Sequence, residues 1–387
     1  MANQNTPWAW LGLLKWSLSY SDGTVPSEES PAPMSDEDKA FLEKVMKDGI
    51  VDEGERMKEI LRHLTEYLDK VKISTEAGGS VATLEESKAE HPELEEDGAV
   101  ELILELRDIV EQIDYARAFS AMGGSQFLMG CAAEREAVPR SIRSSCLGAL
   151  ATLCQNNPPV QSDMLNRGYI DFLADLYFKE FSPLQSGGDV DENDGIVQSR
   201  VVQALSCCIR GHAAAEKKFC ASVNGRRVIE SGLGVHTKGE TLPEPPIPLK
   251  KRCLFFLRAL VTSDTADSAR VGLFEPSVRH AASHFLDAVE EPDAEIREMT
   301  LELLDVLMKQ KKNISAVCEM KSELVGLGIR RIKELRGMEG EQREFASVEL
   351  DQWESFIVEL ARAETGTLGQ GNEGSAGAKD TPLLLEC

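Results

Sequence analysis

The sequence is poor in basic residues and in aromatic rings. Its 42 Lys and Arg are outnumbered by 66 Asp and Glu, leaving a formal net charge of −24 at pH 7 over 387 residues. Nucleic-acid binding rests on Lys and Arg displacing counterions from phosphates, so this balance excludes a nucleic-acid partner, and it disfavours an anionic membrane surface for the same reason. No apolar run approaches the roughly 18 residues that span a bilayer. The apolar stretch Trp8 to Tyr20 lacks a basic residue before it, is interrupted by Lys15, and offers no small-x-small cleavage pattern. It reads as a retained segment, not an export signal. The patterns G-x-x-x-x-G-K-S/T, G-x-S-x-G and C-x-x-C do not occur, and Gly78-Gly-Ser is not followed by a phosphate-binding Lys. Neither an enzyme nor a cofactor is expected.

Two constellations carry weak chemical signals. His280 and His284 have the i, i+4 spacing of a zinc pair, but no H-E-x-x-H glutamate and no nearby third ligand accompany them. They read as ordinary, partly buried histidines, with no metal. Cys207 and Cys208 are adjacent; on a helix they point about 100° apart, so core filling is favoured over redox chemistry. The nine cysteines are an odd number, and Cys146, Cys154, Cys208 and Cys253 fall at apolar helix positions, as small hydrophobes do in a reducing compartment. A cytoplasmic chain is expected, the nucleus being a second compartment of the same kind.

What the sequence does contain is one helical phrase written four times, starting at Ile142, Val197, Leu249 and Ile296, with spacings of 55, 52 and 47 residues. At offset +5 stand Leu147, Val202, Leu254 and Leu301; at +8 Leu150, Leu205, Leu257 and Leu304; at +11 Leu153, Cys208, Leu260 and Leu307. Every one is apolar. A period of this length returning to one amphipathic helix predicts an all-α, armadillo-like α-solenoid. Gly124, Gly168, Gly225 and Gly272 are expected to mark helix breaks with positive φ.

Around this array the sequence divides into a flexible segment 1–34, N-terminal helices over 35–120, about four repeats over 121–335, a capping helix in 336–362 and a disordered tail 363–387. Helices are expected from Ser35, from about Asp52, and over 100–119. The acidic stretch 76–98 and the Gly-, Pro- and acid-rich stretches 182–196 and 231–248 read as insertions.

Three short matches carry a resemblance to a known family. The first is Leu13 to Leu18 (LLKWSL) followed by Ser21-Asp-Gly-Thr24. The second is Arg56 to Ile60 (RMKEI). The third is Ile113 to Ala116 (IDYA) running into Met122-Gly-Gly124 and, after the first long helix, Gln155-Asn-Asn-Pro158. In these the chain resembles the armadillo-type nucleotide exchange factors of the cytosolic 70-kDa heat-shock chaperones, the heat-shock-70-binding protein family. The long insertions depart from that family's compact pattern. The resemblance implies a monomeric co-chaperone whose concave face grips the chaperone's nucleotide-binding domain and promotes ADP release. It also implies that the N-terminal segment, with Leu13, Leu14, Lys15, Trp16 and Leu18, mimics a client peptide; a hydrophobic staple folded back on the array is the other reading of that segment. The alternative function is an armadillo scaffold or adaptor with another folded partner. Extended-peptide readers of the importin type place Asn at offset +10, where this chain has Thr152, Cys207, Ala259 and Val306.

For the partner-binding face, offset +1 supplies an expected exposed basic column: Arg143, Gln198, Lys250 and Arg297. Arg200 and Arg252 lie two positions further on, and Asn156 and Asn157 stand beside the stripe.

Overall fold

A computed structural model of the chain describes residues 52–76, 94–181, 195–235, 244–310 and 314–368. The chain divides into two units, residues 1–62 and 63–387. In the first, Asp52 accepts hydrogen bonds from the amides of Gly54 and Glu55 at 3.0 and 3.2 Å. That cap opens helix α1, Glu53–Glu76. Its first turns carry the exposed i, i+3 pairs Arg56–Glu59 and Lys58–Glu55. The helix expected from Ser35 and the motif Leu13 to Leu18 lie outside the described residues, as does nearly all of 76–98.

Within the second unit every described regular element is a helix. Helices α2 (Glu96–Ile109), α3 (Ile113–Ala121), α4 (Gly124–Ala133) and α5 (Arg140–Cys154) come first. Then follow α6 (Pro158–Asn166), α7 (Tyr169–Phe181), α8 (Ile196–Ile209), α9 (Ala213–Ala221), α10 (Val223–Gly232) and α11 (Ile247–Thr262). The last are α12 (Ser268–Phe285), α13 (Ala294–Lys309), α14 (Ile314–Glu319), α15 (Lys321–Arg336), α16 (Glu341–Phe345) and α17 (Ser347–Leu368). From α3 to α11 the pattern is two shorter helices and one long one, three times over; before α13 a single 18-residue helix, α12, takes the place of the two. The long helices pack on one another in sequence, α2 on α5, α5 on α8, α8 on α11, α11 on α13 and α13 on α17. This stacking of successive helical units on their long helices is an armadillo-like α-solenoid.

The ladder forms because each long helix is apolar on more than one side. The residues at offsets +5, +8 and +11 of α5, α8, α11 and α13 are all buried, from Leu147 to Leu307. Cys146, Cys154, Cys208 and Cys253 are buried among them as free thiols. Desolvation pushes the Cys253 thiol well above its ordinary value, so it stays protonated and inert. At the far end Trp353, Phe356 and Leu360 of α17 are buried, while Phe345 and Val348 of the same expected stripe are exposed.

Four expectations change. Residues 100–119 form not one helix but α2 and α3, with a break after Ile109 where the chain turns at Val110 to Gln112. The helix begun at Ser347 runs on to Leu368, past the expected limit at 362. Of the four glycines expected at positive φ, only Gly168 has it (φ 75°). Gly124 and Gly225 are instead places of close approach: a Cβ on Gly124 would stand 2.2 Å from the Phe119 ring, and one on Gly225 2.6 Å from the Phe219 carbonyl oxygen. Gly272 marks no break, because α12 runs continuously through it. Pro276 lies four residues on, and proline cannot donate to the Gly272 carbonyl and crowds it. Glycine there gives the backbone room to accommodate the ring.

Both glycine corners are testable. Gly124→Ala drives a methyl into a fully buried ring, and Gly225→Ala drives one into a fixed carbonyl; each should lose about 1–3 kcal/mol of stability, read as a lowered thermal midpoint. Gly130→Ala, whose Cβ meets nothing within 4 Å, should be neutral or slightly stabilising.

Candidate functional site

The basic column at offset +1 is not an exposed stripe. Arg143, Gln198, Lys250 and Arg297 are 4%, 3%, 3% and 3% exposed. Three of the four residues are cations, each bonded to an acid of the next unit. Arg143 on α5 donates its Nε to the Ala132 carbonyl at 3.0 Å and its terminal nitrogens to Glu180 on α7. Lys250 on α11 bonds Glu244 at 2.6 Å and Glu291 at 3.0 Å, with its Nζ 5.0 Å from the centre of the Phe285 ring. Arg297 on α13 gives its NH1 to the Glu291 carbonyl at 2.7 Å and forms a bidentate pair with Glu349 on α17 at 2.9 and 2.8 Å. Arg331 on α15 bonds the same carboxylate at 2.8 and 3.0 Å. Each cation therefore ties its own long helix to the next repeat.

Burial alone would raise the Glu349 carboxyl; hydrogen bonds and charge from Arg297 and Arg331 outweigh it and hold the group down at about 2. The Lys250 ammonium is pushed down by burial and more strongly up by Glu244 and Glu291, so it stays charged. Glu216 on α9 makes a further buried node. It accepts from Ser263 at 2.7 Å, Thr265 at 2.6 Å and Arg270 of α12 at 2.7 Å.

Asn157 is also buried, at 1% exposure, with its Nδ2 3.4 Å from the Ile113 carbonyl. It links the starts of α6 and α3 and cannot reach a partner. Asn156 beside it is exposed at the α5–α6 corner, with the positive φ of 52° that asparagine tolerates better than most residues.

Arg200 and Arg252 remain. Both are half-buried. Arg252 lines a groove of about 470 Å³ that runs from the end of α5 across α8 and α11 to Glu295 of α13. Gln203, Ser206 and Arg210 of α8 and Lys251 and Phe255 of α11 line it too. The Arg210 guanidinium lies over the Phe255 ring at 4.7 Å and Arg258 lies at 5.7 Å from it. Such cation–ring contacts hold an exposed aromatic in place while leaving an edge free. Arg200 donates to Gln203 Oε1 at 2.8 Å and Arg252 to Ser199 Oγ at 3.0 Å. Burial lowers both guanidinium pKa values, and charge adds to it, that of Arg107 on Arg200 and that of Arg200 on Arg252. Among the described residues no carboxylate forms an ion pair with Arg200, Arg210 or Arg252.

Phe255, Arg210 and Ser206 were not among the residues expected from the sequence. Phe255 had a signal: it stands at offset +6, outside all three apolar columns, beside a buried Phe256. His280 and His284 line a second depression with Lys250 and Glu291, their rings 4.4 Å apart. No group of three or more potential metal ligands occurs among the described residues. No helix among them is long and apolar enough to cross a membrane.

No protein-family model matches the chain, and no curated protein matches it. Solved structures similar to it include an engineered protein with 14% identity, a TM-score of 0.43 and coverage of 75% of this chain and 97% of its own. A designed armadillo repeat protein is 11% identical with a TM-score of 0.44, covering 69% of this chain and 94% of its own. An armadillo-repeats-only protein from Plasmodium falciparum is 14% identical with a TM-score of 0.39, covering 64% of this chain and 97% of its own. These likenesses are distant, and the fold stands on the helix stacking described above.

The buried pairs make a pH prediction. Glu349 has a folded value of about 2 against about 4.3 unfolded, so its contribution is present above the unfolded value and is lost as pH falls from there towards 2. Glu349→Gln strands two buried guanidinium groups. It should cost about 3–5 kcal/mol at neutral pH and flatten the acid limb of a pH–stability curve measured by urea unfolding.

Proposed function

We propose that this chain is a co-chaperone that binds the nucleotide-binding domain of a 70-kDa heat-shock chaperone and promotes ADP release. The observation that carries the reading is the Gln155-Asn-Asn-Pro158 phrase, one of the matches to the exchange-factor family. In the fold it forms the α5–α6 corner: Asn156 is exposed there, and Gln155 lines the groove. The phrase Leu13 to Leu18 with Ser21 to Thr24 supports the same reading. The partner-facing residues in this proposal are Asn156, Arg200 and Arg252. Arg143, Asn157, Lys250 and Arg297 are assigned to holding the ladder together.

The mechanism needs no bond-making residue, and the chain acts as a binding protein. A rigid helical face that binds the opened nucleotide domain more tightly than the closed one shifts the population towards the open form, and ADP escapes faster. By reciprocity ADP weakens the binding of this protein. Moving the domain from mostly closed to mostly open takes roughly 5 kcal/mol of differential affinity, within reach of an interface of ordinary size. The seven buried thiols fit a reducing compartment, and the proposal places the chain in the cytoplasm or nucleus, where such chaperones work.

Release of a fluorescent ADP analogue from a purified chaperone tests this. Micromolar protein should accelerate it, and Arg200→Gln with Arg252→Gln should reduce the acceleration while the chain still unfolds in one cooperative transition. An unchanged release rate with the wild-type chain would leave an armadillo scaffold for another partner. Deleting residues 1–34 should keep ADP release and impair displacement of a bound client peptide; loss of folding on deletion would instead mean that the segment staples the array.

A further inference from the structure

The groove carries more than an outline. In a chain with 66 acidic residues against 42 basic ones, cations of the second unit find carboxylates readily. Arg143, Lys250, Lys251, Arg270, Arg297 and Arg331 all do. Two guanidinium groups that line the groove donate to neutral atoms instead, Arg252 to Ser199 and Arg210 to the Cys207 sulfur, and Arg200, behind Arg252, donates to Gln203. Arg200 and Arg252 stand close enough together to repel one another. Such an arrangement is unfavourable in the empty protein and becomes favourable when an anion enters.

Two further atoms point the same way. Ser206, 4% exposed, lines the groove with a hydroxyl that has no hydrogen-bond partner, and the buried Nε of Arg210 has none either. Buried polar groups are nearly always satisfied, and an unsatisfied pair in an open groove marks where a ligand's polar atoms belong. Between them Phe255 presents an apolar ring, 39% exposed, clasped by Arg210 and Arg258. Glu295 stands at the far rim, bound to Lys251 at 2.6 Å, and closes the cationic zone on that side.

We infer that this groove binds an acidic segment of a partner protein, two carboxylates flanking one apolar side chain, with the carboxylates on Arg252 and Arg210 and the apolar group on Phe255. A bare inorganic anion would leave the ring unused; a purely apolar peptide would leave the arginines desolvated and unneutralised. The inference rests on the groove alone and holds whichever folded partner the protein serves.

The test is fluorescence anisotropy with the full chain and a short fluorescein-labelled peptide in which two glutamates flank a leucine, beside a twin carrying glutamines. The acidic peptide should bind saturably, more weakly as salt rises, and the glutamine twin should bind roughly tenfold or more less tightly. Arg252→Gln and, separately, Phe255→Ser should each weaken the acidic peptide by a similar factor while the circular-dichroism spectrum remains that of the folded helical array. Phe255 is partly exposed and outside the packed columns, so its variant tests the site even if the arginine variant perturbs folding. Equal binding of the two peptides, or binding indifferent to both substitutions, would overturn the inference. Binding that emerges only after residues 182–194 (with Asp189, Asp191, Glu192 and Asp194) are replaced by a neutral linker would also overturn it, since the occupant would then be the chain's own loop.

Discussion

A cation buried one residue into the repeated helix cannot be left alone. Taking an ammonium or guanidinium out of water costs several kcal/mol unless a carboxylate comes with it. In this fold each of these cations receives a carboxylate from the following repeat: Glu180 for Arg143, Glu291 for Lys250, Glu349 for Arg297. Leucine columns alone would tolerate small slips of one long helix along the next, because apolar contact has little direction. A bidentate pair such as Arg297–Glu349 does not tolerate them. The stacking register, and with it the position of every residue on the outward face, therefore depends on these pairs.

The exception falls in an informative place. Offset +1 of α8 is Gln198, buried but uncharged, with a side-chain nitrogen that finds no partner. The junction of α8 with α11 thus lacks the charged tie that the other junctions have. It is joined instead through Arg252 and Ser199, and it is where the groove lies. On a strongly acidic molecule this patch is a local inversion of the field, attractive at contact although the chain as a whole repels anions at a distance.

The array was legible in the sequence because apolar spacing along a helix is a direct imprint of burial: all twelve column residues are buried. The boundaries were less so. The α2–α3 break carries no glycine or proline, and the apolar run from Val100 to Tyr115 continues through it. Gly124 and Gly225 were read as needing a special φ, when what they supply is the absence of a Cβ against a ring and a carbonyl. The largest misreading was the offset +1 column. A periodic run of Arg and Lys in one sequence looks the same whether it faces solvent or threads between repeats, since the deciding acids lie 37 to 52 residues away in Glu180, Glu291 and Glu349. Arg200 and Arg252, two positions on, are half-buried and keep part of their surface accessible. Phe255 and Arg210 were missed because neither recurs from repeat to repeat, and a site made of departures from a period is invisible to a method that looks for the period.

The three ties also differ in where their acids sit: on a second helix for Arg143, in the connection before α13 for Lys250, on a third helix for Arg297. The units are consequently not interchangeable bricks. Excising one, or splicing in a copy from elsewhere along the stack, would set a lone cation against a neighbour with no matching anion.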